Sequence, residues 1–116
     1  MHEMSYVVRF VNQAIESFQE SGEKQARVSK VCVSVGEMTD VLPEYLYKYF
    51  PIAVKGTVIE GAELSVEMVE AGVACEGCGE IYRPTRENGY RCTHCGDTRG
   101  RVVAGRDVVL ERIEVV

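Results

Sequence analysis

Residues 75–78, Cys75-Glu76-Gly77-Cys78, and residues 92–95, Cys92-Thr93-His94-Cys95, decide how this chain is built. Each pair holds two residues between its thiols, each is followed by a glycine (Gly79 and Gly96), and 13 residues separate the pairs. A tight turn carrying two thiolates supplies half of a tetrahedral site. Two such turns face to face complete a closed four-sulfur cage, the arrangement structural zinc prefers. The glycines suit a knuckle turn, which needs a residue that tolerates positive φ and lets amides point at sulfur. Cys75, Cys78, Cys92 and Cys95 are therefore expected to hold a structural Zn2+.

Two disulfides in a secreted domain are the competing reading of four cysteines. The opening residues show no basic start followed by an apolar signal stretch, and no apolar run approaches the roughly 18 residues of a membrane span. The expectation is a cytoplasmic location without membrane contact, where thiols stay reduced and paired cysteines serve metals. The fifth cysteine, Cys32, lies in a valine-rich strand pattern and reads as a small buried hydrophobe. A thioredoxin-like redox pair would need one such motif beside a βαβ pattern, not two at ribbon spacing. A cage closed by four sulfurs has no open coordination position, so this zinc is expected to hold structure and catalyse nothing. The deaminase pattern, His-x-Glu followed by Pro-Cys-x-x-Cys, is missing in both halves: His2 and Glu3 are adjacent and no proline precedes either pair.

Outside the cage the chain is ordinary and acidic. Its 116 residues allow one domain, or a small domain with a metal-stapled appendage; 46% hydrophobic residues support a core, and the net charge is −5. Residues 1–73 carry 11 acids and six bases, while residues 74–116 carry seven of each, every base an arginine. Arg83, Arg86, Arg91, Arg99, Arg101, Arg106 and Arg112 invite a nucleic-acid reading. An acidic protein lacks the basic footprint that phosphate backbones require, and arginines also balance the −2 charge of four thiolates around a dication.

Periodicity places the elements around the cage. Met4, Val7, Val8, Val11, Ile15 and Phe18 recur at three and four residues, predicting a helix over 4–21 that Gly22 stops. Residues 27–35 alternate, with Val31, Val33 and Val35 on one face and Lys30, Cys32 and Ser34 on the other. Asp40 and Pro43 mark a second helix start. Leu46, Tyr49 and Phe50 are expected to line its buried side; Pro51 should disturb it, with a helical continuation to Val54 left open. The tyrosines around it, Tyr45, Tyr47 and Tyr49, read as packing. Lys55–Gly61 reads as loop, 63–70 and 107–115 as strands, and Asn88-Gly89 as a tight turn inside the cysteine region. The predicted fold is α+β: two helices packed on a three-stranded sheet, with an inserted zinc-ribbon-like module built on the four cysteines. Residues 1–73 plus 106–116 form the main domain and 74–105 the module. The strands that flank the module are expected to pair antiparallel.

The first residues carry a second metal motif. With Met1 retained ahead of the bulky His2, the terminal amine, the ionised His2 amide and the His2 imidazole can chelate one ion through fused rings. Such planar nitrogen donors suit square-planar nickel(II) or copper(II) and are poor for zinc. An amide at a helix start has no carbonyl partner to lose, and Glu3 offsets the cost of a dication against the helix dipole. A fourth donor could be Glu3 or the only other histidine, His94. A histidine at position 2 is also commonly just an exposed terminal side chain, and His94 a solvated knuckle residue.

Taken together, Met1-His2-Glu3-Met4-Ser5, the strand ending Val35-Gly36-Glu37 and the paired Cys-x-x-Cys-Gly turns resemble the HypA/HybF family of nickel-insertion proteins. The resemblance spans essentially the whole chain. It implies a metallochaperone, not an enzyme, that carries Ni2+ as cargo for maturation of the NiFe-hydrogenase large subunit and, in some organisms, urease. It further implies an α/β nickel-binding domain joined to a zinc domain. By the same resemblance, nickel would be ligated at His2 and neighbouring backbone nitrogens, Glu3 would be associated with nickel and with the GTPase partner HypB, and Cys75, Cys78, Cys92 and Cys95 would be the zinc ligands. His94 departs from the family pattern by lying between two cysteines rather than after them. The rival reading is a zinc-ribbon interaction module that binds nucleic acid or protein through its arginines without nickel chemistry.

Overall fold

The computed structural model describes residues 3–22 and 26–116. The order is α1 (Glu3–Glu20), β1 (Val28–Gly36), a 3-10 turn (Glu37–Thr39), α2 (Pro43–Val54), β2 (Glu63–Val69), β3 (Gly72–Cys75), β4 (Ile81–Tyr82), β5 (Gly100–Ala104) and β6 (Val108–Val115). The fold is α+β, as expected, with two helices and two small sheets. Two compact units form. The first holds the chain up to Val35, Val41–Glu67 and Val108–Val116; the second holds Gly36–Asp40 and Met68–Asp107.

In the first unit the sheet order is β2-β1-β6, with β1 antiparallel to β6 from Val28 opposite Val115 to Val35 opposite Val108. The expected pairing of the two strands that flank the module is therefore wrong, because β1 lies between them. Burial shows the reason: Val31, Val33 and Val35 are buried on one face, and the small Cys32 and Ser34 are buried on the other. Only a central strand has both faces covered. Ser34 Oγ donates to Glu111 Oε1 at 2.7 Å and Cys32 Sγ lies 3.7 Å from Glu114 Oε2, so β6 carboxylates close over that face. Burial pushes the Cys32 thiol up, with Arg112 opposing and Glu114 adding to the rise.

Helix α1 buries Val7, Phe10, Val11 and Ala14. Val8, placed on the apolar stripe by spacing, is 46% exposed, whereas Phe10 is 1% exposed. The buried arc is turned toward α2, where Phe10 stacks on Phe50 at 6.2 Å between centroids. Helix α2 starts with Pro43 in its first turn and runs through Pro51 to Val54, burying Leu46, Phe50 and Val54. Tyr45 and Tyr47, read as packing residues, are exposed, although the Tyr47 hydroxyl accepts the Val66 amide at 2.9 Å. The loop after α2 returns Ile59 to the core, where it is almost fully buried.

The second unit contains a sheet that alternation did not reveal, in the order β4-β3-β5, both pairings antiparallel. Val73 pairs with Tyr82 on one side and Val102 on the other. These residues pack with Cys75 and Cys92 into a core of its own. Strands of two to five residues are too short to show a period of two.

Candidate metal centre

The two cysteine turns are built alike, residue for residue. Gly79 donates its amide to the Cys75 carbonyl at 2.9 Å, and Gly96 donates to the Cys92 carbonyl at 2.9 Å. Both glycines have φ 79, a left-handed conformation that a Cβ would oppose. The Cys75 amide donates to the Glu80 carbonyl and the Cys92 amide to the Asp97 carbonyl, each at 2.9 Å. The Gly77 amide points at Cys75 Sγ from 3.3 Å and the His94 amide at Cys92 Sγ from 3.4 Å. Amides aimed at sulfur are the donors a thiolate needs when it leaves water.

This local geometry brings all four sulfurs together. Their Sγ atoms lie within 4.8 Å of one another, with Cys75 3.5 Å from Cys95 and Cys78 3.6 Å from Cys92. A tetrahedral ion with metal–sulfur bonds of about 2.3 Å has sulfur–sulfur edges of about 3.8 Å. The cage fits that demand. All four cysteines are free thiols, Cys75 and Cys92 buried and Cys78 and Cys95 exposed, so the module is not a disulfide framework. Among the described residues this is the one cluster able to hold a metal.

The sulfurs differ in acidity. The amides of Cys95 and, more weakly, His94 hold Cys92 down to about 6. The Glu80 amide pulls Cys78 down too, but desolvation and the sulfurs of Cys92, Cys95 and Cys75 outweigh it and push Cys78 up to about 12. Four thiols crowded together resist joint ionisation until a cation compensates them, so metal uptake releases protons.

Two supports have no signature in the cysteine spacing. A Cβ on Gly77 would meet Asp97 Oδ2 at 2.7 Å and Cys95 Sγ at 3.3 Å, so the first turn needs glycine where the second presses on it. Asp97 is held in turn by Arg99, whose Nη2 donates to Oδ2 at 2.9 Å. This contact and the Arg99 amide hold the Asp97 carboxyl at about 2. The second support is Glu37, whose Oε1 accepts the Ala71 amide at 2.9 Å and Arg83 Nε at 3.0 Å, while Oε2 receives a second guanidinium nitrogen of Arg83. The Arg83 bonds, with the Ala71 amide, hold Glu37 at about 2. Three of the arginines that suggested nucleic acid thus face carboxylates: Arg83 with Glu37 and Glu70, Arg99 with Asp97, and Arg112 with Glu114.

The nickel motif is placed only in part. Met1 and His2 lie outside the described residues. Glu3 opens α1, partly buried, in the first unit; His94 is exposed in the second cysteine turn, in the second unit.

Fold and cage together define a small α+β metal-binding protein whose second unit is stapled by four cysteines. Residues 1–115 match the family model described as hydrogenase/urease nickel incorporation, metallochaperone, hypA. The chain belongs to the HypA family of nickel metallochaperones. Relatives named hydrogenase maturation factor HypA include those of Chlorobium phaeobacteroides, 36% identical over 115 residues covering 99% of each chain, and Chlorobium limicola, 35% identical over 118 residues covering 99% and 97%. That of Streptomyces avermitilis is 33% identical over 108 residues, covering 93% of this chain and 82% of the relative. The fold matches a solution structure of HypA protein with TM-score 0.76 at 19% identity, over 100% of this chain and 97% of that one. It also matches the solution structure of the Ni metallochaperone HypA from Helicobacter pylori, with TM-score 0.69 at 18% identity over 98% and 97%.

Proposed function

We propose that this protein carries Ni2+ at its N-terminus and delivers it to the NiFe-hydrogenase large subunit, with Zn2+ in the cage. The observation that carries the reading is the match of residues 1–115 to a nickel-incorporation family. The Met1 amine, the His2 amide and the His2 imidazole form the planar donor set, with Glu3 at the mouth and His94 a further candidate ligand. A cargo site needs exposed, exchangeable ligands, so that acceptor thiolates reach the ion before the donor releases it. The cage supplies the opposite chemistry. Four sulfurs saturate zinc, leaving it no position for a substrate, so its work is to hold β3, β4 and β5 around the cysteines. No step here is catalytic.

The first unit is the nickel-binding domain in this reading and the second the zinc-binding domain. Proposed partners are the GTPase HypB and the hydrogenase large subunit, with urease maturation proteins a further class consistent with the family description. The proposed location is the cytoplasm, where those acceptors are assembled; among the described residues no helix is long and apolar enough to cross a membrane.

A nickel titration of untagged protein, with zinc measured in parallel, tests the proposal. One equivalent of Ni2+ binds while zinc stays at one per chain. Changing His2→Ala, or adding one residue before Met1, abolishes nickel uptake and leaves zinc in place. Nickel binding that survives both changes overturns the N-terminal site.

A further inference from the structure

Asn88-Gly89 is a turn sequence and also a chemically reactive one. The amide nitrogen that follows an asparagine can attack the asparagine side chain, and glycine has no Cβ to hinder the approach. In that step Gly89 N bonds to Asn88 Cγ and gives its proton to solvent, while Nδ2 leaves as ammonia. Water then opens the cyclic imide at either carbonyl. One opening gives aspartate at 88. The other gives isoaspartate, in which the backbone runs through the former side chain and is longer by a carbon. Water is the only co-reactant.

The fold holds both reacting groups still. The turn centres on Gly89 and Tyr90, at φ 65 and 60, and the Arg91 amide closes it on the Asn88 carbonyl at 3.1 Å. Gly89 donates its own amide proton to the Arg86 carbonyl at 3.1 Å, so the nucleophile is withheld. Asn88 Nδ2 donates to the Arg83 carbonyl at 2.9 Å, which ties the leaving group. Oδ1 accepts the Thr85 amide at 3.1 Å, and Thr85 Oγ1 accepts the Asn88 amide at 3.3 Å. The Oδ1 bond alone polarises Cγ toward attack. A side chain anchored at both oxygen and nitrogen, however, does not swing to meet Gly89 N.

These bonds all lie within residues 83–91, a stretch too short to stay closed in water by itself. Its ends are held by the cage. Tyr82, just before it, packs with Cys75 and Cys92, and Cys92 follows Arg91 directly. Tyr90 opposes closure, because a non-glycine residue at φ 60 is strained and its ring is 59% exposed, with little packing to offset the strain.

We propose that Asn88 is a spontaneous modification site that the filled cage keeps shut, so that a chain losing its cage metal converts Asn88 to aspartate or isoaspartate. The change is one-way. Aspartate sets a carboxylate oxygen against the Arg83 carbonyl where Nδ2 had donated, and isoaspartate lengthens the backbone through the turn. Either product closes the loop less well, and so marks a chain that has been without metal. The gate rests on the proposed reading that the cage holds a metal.

Full-length protein of measured metal content, incubated in mildly alkaline buffer with reductant, with and without a chelator, tests the gate. Trypsin cuts after Arg86 and Arg91, and mass spectrometry of residues 87–91 counts the exchange of amide for acid, the two isomers being separated by chromatography. The chelated protein is expected to convert as fast as a synthetic peptide of residues 83–91, and the loaded protein about tenfold or more slowly. Asn12, the only other asparagine, precedes Gln13 and stays an amide in both. Thr85→Val removes the Oγ1 latch and speeds the loaded protein without changing the chelated one. Asn88→Asp yields its metal to a chelator faster than the parent does. Equal rates with the cage filled and stripped overturn the proposal alone, whereas a chain that takes up no metal overturns it together with the cage assignment. An Asn88→Asp variant that keeps its metal as well as the parent overturns the marking.

Discussion

Gly36 and Gly105 meet backbone to backbone: a Cβ built on Gly36 would stand 2.3 Å from the Gly105 carbonyl carbon. The Met38 amide donates to that same carbonyl at 2.9 Å. Gly105 has φ 75, and a Cβ there would lie 2.7 Å from Ala71 Cα and from the Glu70 carbonyl. Three passes of the chain, at the end of β1, before β3 and before β6, therefore cross inside the second unit with no room for a side chain at Gly36 or Gly105.

That crossing makes a graded prediction. Gly105→Ala meets both left-handed strain and backbone contact, and is expected to lower stability by about 2–4 kcal/mol. Gly56, with φ 78 and nothing within 4 Å of a built Cβ, carries the strain alone. Its alanine variant costs only about 1–2 kcal/mol. Urea denaturation of the metal-loaded variants measures both, and equal losses would show that the close approach contributes nothing.

The same crossing is clamped by Glu37, whose carboxyl stands well below its ordinary value of 4.5, at about 2, because Arg83 and the Ala71 amide bond its ionised form. A carboxyl depressed on folding contributes stability that is fully present above the unfolded value. That stability fades as pH falls from about 4.5 toward 2. Glu37→Gln is therefore expected to be less stable than the parent at neutral pH, with the gap closing through that acid window. Denaturation midpoints of both proteins, followed across the window, check the convergence.

The cage and the long elements were legible for different reasons. Cysteine spacing reports ligand geometry directly, because two residues between thiols leave few turns to choose from, and the observed turns repeat each other down to φ 79 at Gly79 and Gly96. Periodicity located α1, β1 and β2, each long enough to show its repeat, while Asp40 and Pro43 marked the start of α2 and valine and isoleucine content marked β6. What it could not show was partner choice. Spacing alone cannot say that β1 would take the centre of its sheet, or that α1 would turn Phe10 rather than Val8 inward. Gly77, Asp97 and Glu37 stayed hidden because their roles rest on contacts between segments far apart in sequence.

The α1 difference is itself testable. Phe10 is stacked on Phe50 and buried, so Phe10→Ala is expected to cost about 3–5 kcal/mol. Val8 faces solvent, and Val8→Ala should change stability by no more than about 0.5 kcal/mol. Thermal unfolding of the two variants ranks them; equal costs would restore the stripe read from spacing alone.

The last prediction concerns the metal. The core of the second unit consists of Val73, Cys75, Tyr82 and Cys92, with Val102 packed against it. Two of its members are proposed ligands, and the unit has little else apolar to bury. The first unit has a larger core of its own, from Val7 and Phe10 through Leu46 and Phe50 to Ile59. Chelation under reducing conditions, or Cys92→Ser, should therefore unfold one unit and spare the other, because metal-binding free energy is folding free energy where no other core exists. In amide NMR spectra, signals from 72–104 are expected to collapse toward random-coil positions while those of α1, α2 and β1 keep their dispersion. Adding Zn2+ back restores the chelated protein and not the serine variant. Dispersed signals from β3, β4 and β5 without metal would mean that the sheet stands by itself and the cage staples nothing.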